Sequence, residues 1–153
     1  MKVLVLLLLG FSTADAVAAL FFRNWCNQDM DIIMTSNYEA PKILVNVPTQ
    51  QRRLYGFYDG SMSFRPGWNG ITQVDFEIGL PNGNTRYAIN LINGFDIPVA
   101  IEPIKGETIW CGDKDCADGI RYPQEIGSKA REAKTNQRIT ISFCTQPDTE
   151  KQE

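Results

Sequence analysis

Hydrophobic and polar residues alternate along much of this chain, most regularly between residues 74 and 91. Four apolar residues occupy every second position where this stretch begins: Val74, Phe76, Ile78 and Leu80. A period of two is typical of a strand with one buried face. Asn and Gly at residues 82–84 favour a tight turn because they adopt positive φ at low cost, and the alternation resumes at residues 87–91. With a further apolar run at residues 97–101, the pattern predicts a three-stranded antiparallel meander.

Shorter strand-like segments, separated by Gly, Pro, Asn and Asp, cover most of the remaining chain. Residues 19–25 and 30–36 are predicted to form a hairpin, and residues 42–48 another strand. Residues 61–64 are predicted to pair back on a strand at residues 54–58. Strand signals at intervals of roughly ten residues are typical of a β-sandwich or barrel, so we expect an all-β fold built from antiparallel strands.

The N-terminal segment has the features of a secretory signal peptide at residues 1–18. Lys2 precedes an uninterrupted apolar run at residues 3–9, and small residues offer cleavage sites after Ala16 or Ala18. The run is much shorter than the roughly 20 apolar residues that a membrane-spanning helix needs. We therefore expect a secreted, extracellular protein without a membrane anchor.

Two further segments depart from the strand pattern. Residues 117–135 are polar and rich in helix formers, which predicts a solvated loop with one or two helical turns. Residues 147–153 form a polar tail. The remaining chain is predicted to fold as one domain at residues 19–146, a usual single-domain length.

Charge and the absence of histidine exclude several kinds of function. The net charge is −3, acidic and basic residues are interspersed, and Arg52-Arg53 is the only basic doublet, so nucleic acid is not an expected partner. Without histidine the chain can form neither a Ser-His-Asp triad nor a histidine-ligated metal site. A pair of carboxylates is the simplest catalytic machinery that remains.

Four cysteines allow three disulfide pairings in an exported chain: Cys26, Cys111, Cys116 and Cys144. A zinc site with four thiolates is the alternative, and it is disfavoured because only one pair of cysteines is close in sequence. We predict no metal and no cofactor.

Two groups of side chains are candidates for a ligand site. Asp75 and Glu77 are two residues apart on one strand, so they share a face and lie roughly 7 Å apart, a separation that a glycosidase carboxyl pair also shows. Tyr58 and Trp68 belong to an aromatic-rich segment, and flat rings can stack on sugars. The alternative for the first pair is a solvated sheet face, and for the aromatic segment a place in the core.

Several segments resemble the thaumatin-like family in order and spacing. The sequence YAINLINGFDIP at residues 87–98 resembles the family segment Y-x-[VI]-S-L-V-D-G-F-N-[VI]-P. Four further segments resemble family motifs: VDFEI at residues 74–78, the C-x(4)-C-A-D run at residues 111–118, FRNWC at residues 22–26 and RITISFC at residues 138–144. The resemblance spans most of residues 19–144.

The resemblance implies the β-sandwich core of that family without its disulfide-rich second domain, which large members insert near residues 117–135. It also implies a bond between the first and last strands, and we favour the pairs Cys26–Cys144 and Cys111–Cys116. In the loop-entropy model the longer loop adds roughly 4–5 kcal/mol of stability, against about 2 kcal/mol for the shorter one.

The family carries an acidic cleft, of which this chain keeps little. Its glutamate position falls on Asp75, but two aspartate positions fall on Ala88 and Asn93, and the arginine position falls on Phe57. Asp96 is a candidate replacement for the lost charge. These departures weigh against the weak β-1,3-glucanase activity attributed to parts of the family, and the resemblance favours binding over catalysis.

The function implied is binding of a cell-wall polysaccharide such as β-1,3-glucan, in a defence, antifungal or host–microbe role. The predicted carbohydrate-binding residues are Asp75, Glu77, Asp96, Tyr58 and Trp68. The alternatives are a weak endo-β-1,3-glucanase and a protein that binds another secreted protein, as a glycosidase inhibitor or an effector, because small family members include a xylanase inhibitor. We expect a monomer.

Overall fold

Two β-sheets stacked face to face make up the computed structural model, which describes residues 18–57 and 59–145. The strands of the described chain are β1 (Ala18–Asn24), β2 (Met30–Ser36), β3 (Lys42–Val47), β4 (Arg52–Phe57), β5 (Gly60–Pro66), β6 (Gln73–Ile78), β7 (Asn84–Asn90), β8 (Val99–Pro103), β9 (Ile109–Cys111), β10 (Gly119–Ile120), β11 (Arg131–Lys134) and β12 (Arg138–Phe143). A 3-10 turn (Pro123–Glu125) leads into one short helix, α1 (Ile126–Lys129). The predicted all-β sandwich is confirmed.

The strands divide unevenly between the sheets. The five-stranded sheet has the order β4-β1-β12-β8-β9, and the seven-stranded sheet has the order β10-β7-β6-β5-β2-β3 with β11 also paired to β7. Two of the pairs are parallel, β1 with β12 and β10 with β7, and the other pairs are antiparallel.

The core lies between the sheets and is built from the alternate residues of each strand. In β1, for example, Leu20 and Phe22 are fully buried, because successive side chains of a strand point to opposite faces. Phe64 is at the centre, with its ring centroid 4.9 Å from that of Phe22 and 5.9 Å from that of Phe76. Of the aromatic-rich segment, Phe64 is therefore core and Phe57 packs against it, whereas Tyr55 and Trp68 are exposed.

Three of the predicted strand pairings are wrong, although the strands themselves form. The strands of the predicted hairpin, β1 and β2, belong to different sheets: β1 pairs with β4 and β12, whereas β2 pairs with β3 and β5. Likewise β5 pairs with β2 and β6 and not with β4. The third strand of the predicted meander, β8, lies in the five-stranded sheet beside β12 and β9. Only β6 and β7 form the antiparallel hairpin that the turn predicted.

The bridging segment at residues 117–135 contains more structure than the predicted loop. Its helical turns form, but it also contributes β10 and β11 to the edge of the seven-stranded sheet beside β7. β11 has the sequence REAK, with Ala133 as its single buried residue. Backbone pairing with β7, rather than an apolar face, determines this strand.

Both favoured disulfides are confirmed, and the zinc alternative is wrong. Cys26 and Cys144 follow directly after β1 and β12, and their Cα atoms are 5.1 Å apart across a sequence separation of 118 residues. Cys111 and Cys116 close a short loop after β9. Tyr58, the tail at residues 147–153 and all of the predicted signal peptide except Ala18 lie outside the described residues. Ala18 is buried in β1. No helix in the described ranges is long and apolar enough to cross a membrane.

Candidate functional site

An open groove of about 340 Å³ crosses the outer face of the seven-stranded sheet. It runs over β5, β6 and β7, and we refer to it as the groove. Its polar side chains include Ser61, Ser63, Gln73, Asp75, Glu77 and Arg86. Because alternate residues of a strand share a face, the core residues of β6 place Asp75 and Glu77 outward, as predicted.

Asp75 is held in the groove by two amide side chains. Gln73 Nε2 donates to Asp75 Oδ1 and Asn90 Nδ2 donates to Asp75 Oδ2, each at 2.7 Å. The register places Ser63 directly opposite Asp75 on one side and Ala88 on the other. The carboxylate is therefore oriented, and each oxygen retains a second lone pair for a ligand hydroxyl.

Glu77 belongs to a charge network that spans three strands. Arg86 donates from Nη1 to Glu77 at 2.9 Å and from Nη2 to Glu132 at 3.1 Å. Asn84 and Asn82 each donate to the other oxygen of Glu132 at 3.0 Å. Hydrogen bonds from Asn84, Asn82 and Arg86 hold the pKa of Glu132 below its ordinary value. Negative and positive groups thus alternate along this side of the groove.

The bridging segment closes one end of the groove and is fastened by Glu125. The Glu125 carboxylate accepts a hydrogen bond from Lys129 Nζ at 2.9 Å and another from the Arg121 amide at 2.7 Å. These contacts, first that of Lys129, lower the pKa of Glu125 to about 2. Ile126 and Ala130 line this end of the groove.

A second cavity, of about 570 Å³, lies at the loop end of the sandwich beside the Cys26–Cys144 disulfide, and Trp68 and Asp96 both line it. Trp68 is 51% exposed in the loop between β5 and β6. Asp96 accepts hydrogen bonds from the amides of Thr72 at 2.7 Å and Ile71 at 2.9 Å, and its own amide donates to Thr72 Oγ1. Burial raises the pKa of Asp96, but the hydrogen bonds from Thr72 and Ile71 outweigh it and leave that pKa below its ordinary value.

Comparison with solved structures decides the fold. The structure of a thaumatin-like xylanase inhibitor superposes with a TM-score of 0.66 at 14% sequence identity, over 84% of this chain and 100% of that one. This chain has the thaumatin-like fold. The crystal structure of the protein elicitor MoHrip2 from Magnaporthe oryzae is also similar, with a TM-score of 0.62 at 13% identity over 84% of this chain and 99% of that one. No protein-family model matches the chain. No curated protein matches it in sequence.

Within this thaumatin-like domain the predicted site residues separate into two places. Asp75 and Glu77 line the groove, whereas Asp96 and Trp68 line the loop-end cavity. Tyr58 lies outside the described residues. The two aromatic residues that border the groove, Phe76 and Tyr87, belong to the core. The structure therefore divides the candidates between two sites: Asp75 and Glu77 lie in the groove, and the acidic Asp96 lies with the aromatic Trp68 in the loop-end cavity.

The residues onto which the resemblance places the family's acidic cleft also lie apart in the structure. Ala88, at one aspartate position, lies directly opposite Asp75 in the register and borders the groove. Phe57, at the arginine position, packs with its ring centroid 5.5 Å from that of Phe64 at the core.

Sequence reasoning did not identify the partners of Asp75 in the groove. The period of two could have placed Gln73 beside Asp75, because Gln73 lies two residues earlier on the same strand. The turn at residues 81–84 could have placed Asn90 there too, because that turn sets the register in which Asn90 faces Gln73. The sequence did not place Ser61 and Ser63 in the groove, because their strand was predicted to pair with the strand at residues 54–58.

Proposed function

We propose that this thaumatin-like domain is a secreted binding protein that holds a cell-wall polysaccharide, β-1,3-glucan, in the groove and acts in defence or a host–microbe interaction. Its two disulfides and the extracellular nature of thaumatin-like proteins fit secretion.

The observation that supports the proposal most is the oriented carboxylate of Asp75 in an open groove. Gln73 and Asn90 fix both of its oxygens, so binding a sugar hydroxyl does not require the side chain to be ordered first. The hydroxyl groups of Ser61 and Ser63 on the neighbouring strand add donors and acceptors along the same direction. A groove that is open at the surface suits an extended polymer better than a small molecule.

The same contacts argue against the glucanase alternative. A glycosidase needs one carboxyl group to protonate the leaving oxygen and a second to act as base or nucleophile. Asp75 and Glu77 lie side by side on one strand and not on opposite sides of the groove, and Glu77 is paired with Arg86. We expect no new reducing ends from β-1,3-glucan at high protein concentration, and their appearance would restore the enzyme hypothesis.

Binding of a secreted glycosidase is a second candidate function, and the observation in its favour is the similarity to a thaumatin-like xylanase inhibitor. Inhibition would appear as slower release of reducing sugar by a panel of endoxylanases when the protein is added. If no enzyme in the panel is slowed while glucan binding is observed, the first proposal is favoured.

Depletion of the protein from solution by insoluble β-1,3-glucan tests the groove, and two variants locate the site. Asp75→Ala removes the oriented carboxylate and is expected to weaken binding about tenfold, the loss of one charge-assisted hydrogen bond or more. Trp68→Ala alters the loop-end cavity and is expected to bind like the wild type. The reverse result for the two variants would place the glucan at the loop-end cavity. As a control for specific binding, soluble glucan oligomers should release the bound wild-type protein.

A further inference from the structure

The arginines of this protein fall into two classes. Arg86, Arg121 and Arg131 each form an ion pair with a carboxylate. Five arginines form no ion pair with any other residue that the structure describes, although the protein as a whole has a net charge of −3: Arg23, Arg52, Arg53, Arg65 and Arg138. Of these, Arg23, Arg52 and Arg138 lie over aromatic rings. All three belong to adjacent strands of the five-stranded sheet.

The strand register brings these arginines to one outer face. Arg23 lies directly opposite Arg52 in the β1–β4 pair, and Arg138 lies opposite Ala19 in the β1–β12 pair. Phe21, between Ala19 and Arg23 on the same side of β1, is at the centre. We call this surface the arginine face, defined by Arg23, Arg52, Arg138 and Phe21. All four residues line a hollow of about 200 Å³.

Aromatic rings hold the guanidinium groups in place. Arg52 and Arg138 lie over the ring of Phe21, at 5.5 and 5.3 Å from its centroid, and Arg23 lies over the ring of Trp25 at 4.8 Å. A guanidinium group that stacks on a ring keeps its donors free for a planar anion. Stacking also orders the side chain in advance, which lowers the entropy cost of binding. The face is thus arranged to receive carboxylates.

The positions of the charges indicate an extended anion. The hollow on the arginine face shares Arg23 and Arg52 with a second hollow, which Trp25 and Arg53 also line. The guanidinium groups of Arg52 and Arg138 converge on one ring, whereas Arg23 lies over Trp25, just after β1. A polymer with repeated carboxylates can contact both hollows at once, which a single small anion cannot.

Other features of the face favour a sugar polymer over nucleic acid. Single-stranded nucleic acid needs free aromatic rings on which bases stack, but the Phe21 ring already carries two guanidinium groups. The hollow also contains Glu102, which accepts a hydrogen bond from Ser142 at 3.1 Å. Its carboxylate can accept a sugar hydroxyl. Thr140 beside it adds a hydroxyl group.

We propose that the arginine face is a second binding site, for a uronic-acid polysaccharide whose carboxylates pair with Arg52 and Arg138. The proposal does not depend on glucan binding in the groove, because the two sites lie on the outer faces of different sheets.

Isothermal titration of the disulfide-bonded protein with polygalacturonate tests the proposal. Arg52→Gln with Arg138→Gln is expected to weaken binding about tenfold or more, because two bidentate pairs are lost. Arg52→Lys with Arg138→Lys keeps the charge but loses the planar fork, and an intermediate affinity is expected. The matched control, Lys42→Gln with Lys134→Gln, removes the same charge from the seven-stranded sheet and is expected to change affinity by no more than about twofold. Equal losses in the Arg→Gln variant and this control would overturn the proposal, because only net charge would then matter.

Matched ligands separate this polymer from other anions. Methyl-esterified polygalacturonate keeps the sugar backbone without the charge, and we expect it to bind much more weakly. Tighter binding to polyglutamate, to phosphatidylserine vesicles or to single-stranded DNA than to polygalacturonate would overturn the proposal in favour of a protein, a membrane or a nucleic acid. A circular dichroism spectrum and melting curve like those of the wild type show that each variant is folded. Soluble β-1,3-glucan should bind the Arg→Gln variant as it binds the wild type, so the two sites can fail separately.

Discussion

Arg86 on the seven-stranded sheet and Arg52 on the five-stranded sheet both lie on outer faces, but their neighbours differ. Arg86 bridges Glu77 and Glu132 across the strands. Arg52 lies directly opposite Arg23, a like charge, and rests over the ring of Phe21. Like charges opposite each other on neighbouring strands are destabilising, and opposite charges are stabilising. The arginine on the first face is therefore neutralised by carboxylates of the protein itself, whereas the second face keeps positive charge that an external anion can neutralise.

This difference separates structural charge from functional charge. On the seven-stranded sheet, the groups that remain free to bind a ligand are hydroxyl groups and the carboxylate of Asp75, which two amides orient. These groups suit a neutral sugar. On the five-stranded sheet they are guanidinium groups, which suit carboxylates. The following predictions test the contrast.

The largest expected effect concerns the strands that carry the arginine face. Cys26–Cys144 joins the ends of β1 and β12, so Cys26→Ala with Cys144→Ala should lower the free energy of unfolding by roughly 4–5 kcal/mol. Cys111→Ala with Cys116→Ala, which opens a much shorter loop, should lower it by about 2 kcal/mol. Guanidinium titrations without reductant measure both. Equal losses would show that loop length does not determine the stabilisation.

Asp96 lies in the connection between β7 of one sheet and β8 of the other, and Asp96→Ala should destabilise the protein by about 1–3 kcal/mol. The variant leaves the amides of Ile71 and Thr72 without their acceptor. The folded pKa of Asp96 lies below its ordinary value, so its ionised form stabilises the wild type above about pH 4 and this stabilisation is lost as the pH falls further. Urea titrations between pH 2 and pH 6 should show a smaller pH dependence in the variant. An unchanged pH profile would contradict this role.

A direct comparison of the two arginines gives a smaller effect. Arg86→Gln should lower the free energy of unfolding by about 0.5–1 kcal/mol, since both of its pairs are partly exposed. Arg52→Gln should change it by less than about 0.5 kcal/mol in either direction, because relief of the repulsion from Arg23 offsets the lost contact with Phe21. Urea titrations at one pH measure the pair. A larger loss for Arg52→Gln would make the arginine face structural.

The smallest effect is confined to the bridging segment. Glu125→Gln weakens the contact with Lys129 and the acceptor for the Arg121 amide, so hydrogen exchange at that amide should accelerate while global stability stays the same. Because the pKa of Glu125 is about 2, the wild-type segment should stay fastened down to strongly acidic pH and loosen as the pH falls through that value. Ile126 borders the groove, so glucan binding should weaken and polygalacturonate binding should not. Weakening of both would show that the change is not local.

Much of the candidate site could be predicted from local pattern. The outward positions of Asp75 and Glu77 follow from the alternation in β6, and the opposition of Gln73 and Asn90 follows from the turn that joins β6 to β7. The arginine face could not be predicted in this way. Arg23, Arg52 and Arg138 come from three strands that are distant in sequence, and only their register in the sheet makes them neighbours.

The sequence by itself determined most of the strands and the class of fold, because alternation and turn residues are local properties. It left three disulfide pairings open, and the resemblance implied the one that forms. Only the tertiary structure decided which sheet each strand joins. β1 and β2, like β4 and β5, are consecutive strands that belong to different sheets. A strand with one apolar face could pack in either sheet, so its own sequence does not decide between them. The same holds for β11, whose polar sequence becomes a strand because the edge of β7 offers hydrogen bonds to its backbone. Such pairings depend on partners far along the chain, and a local pattern carries no information about them.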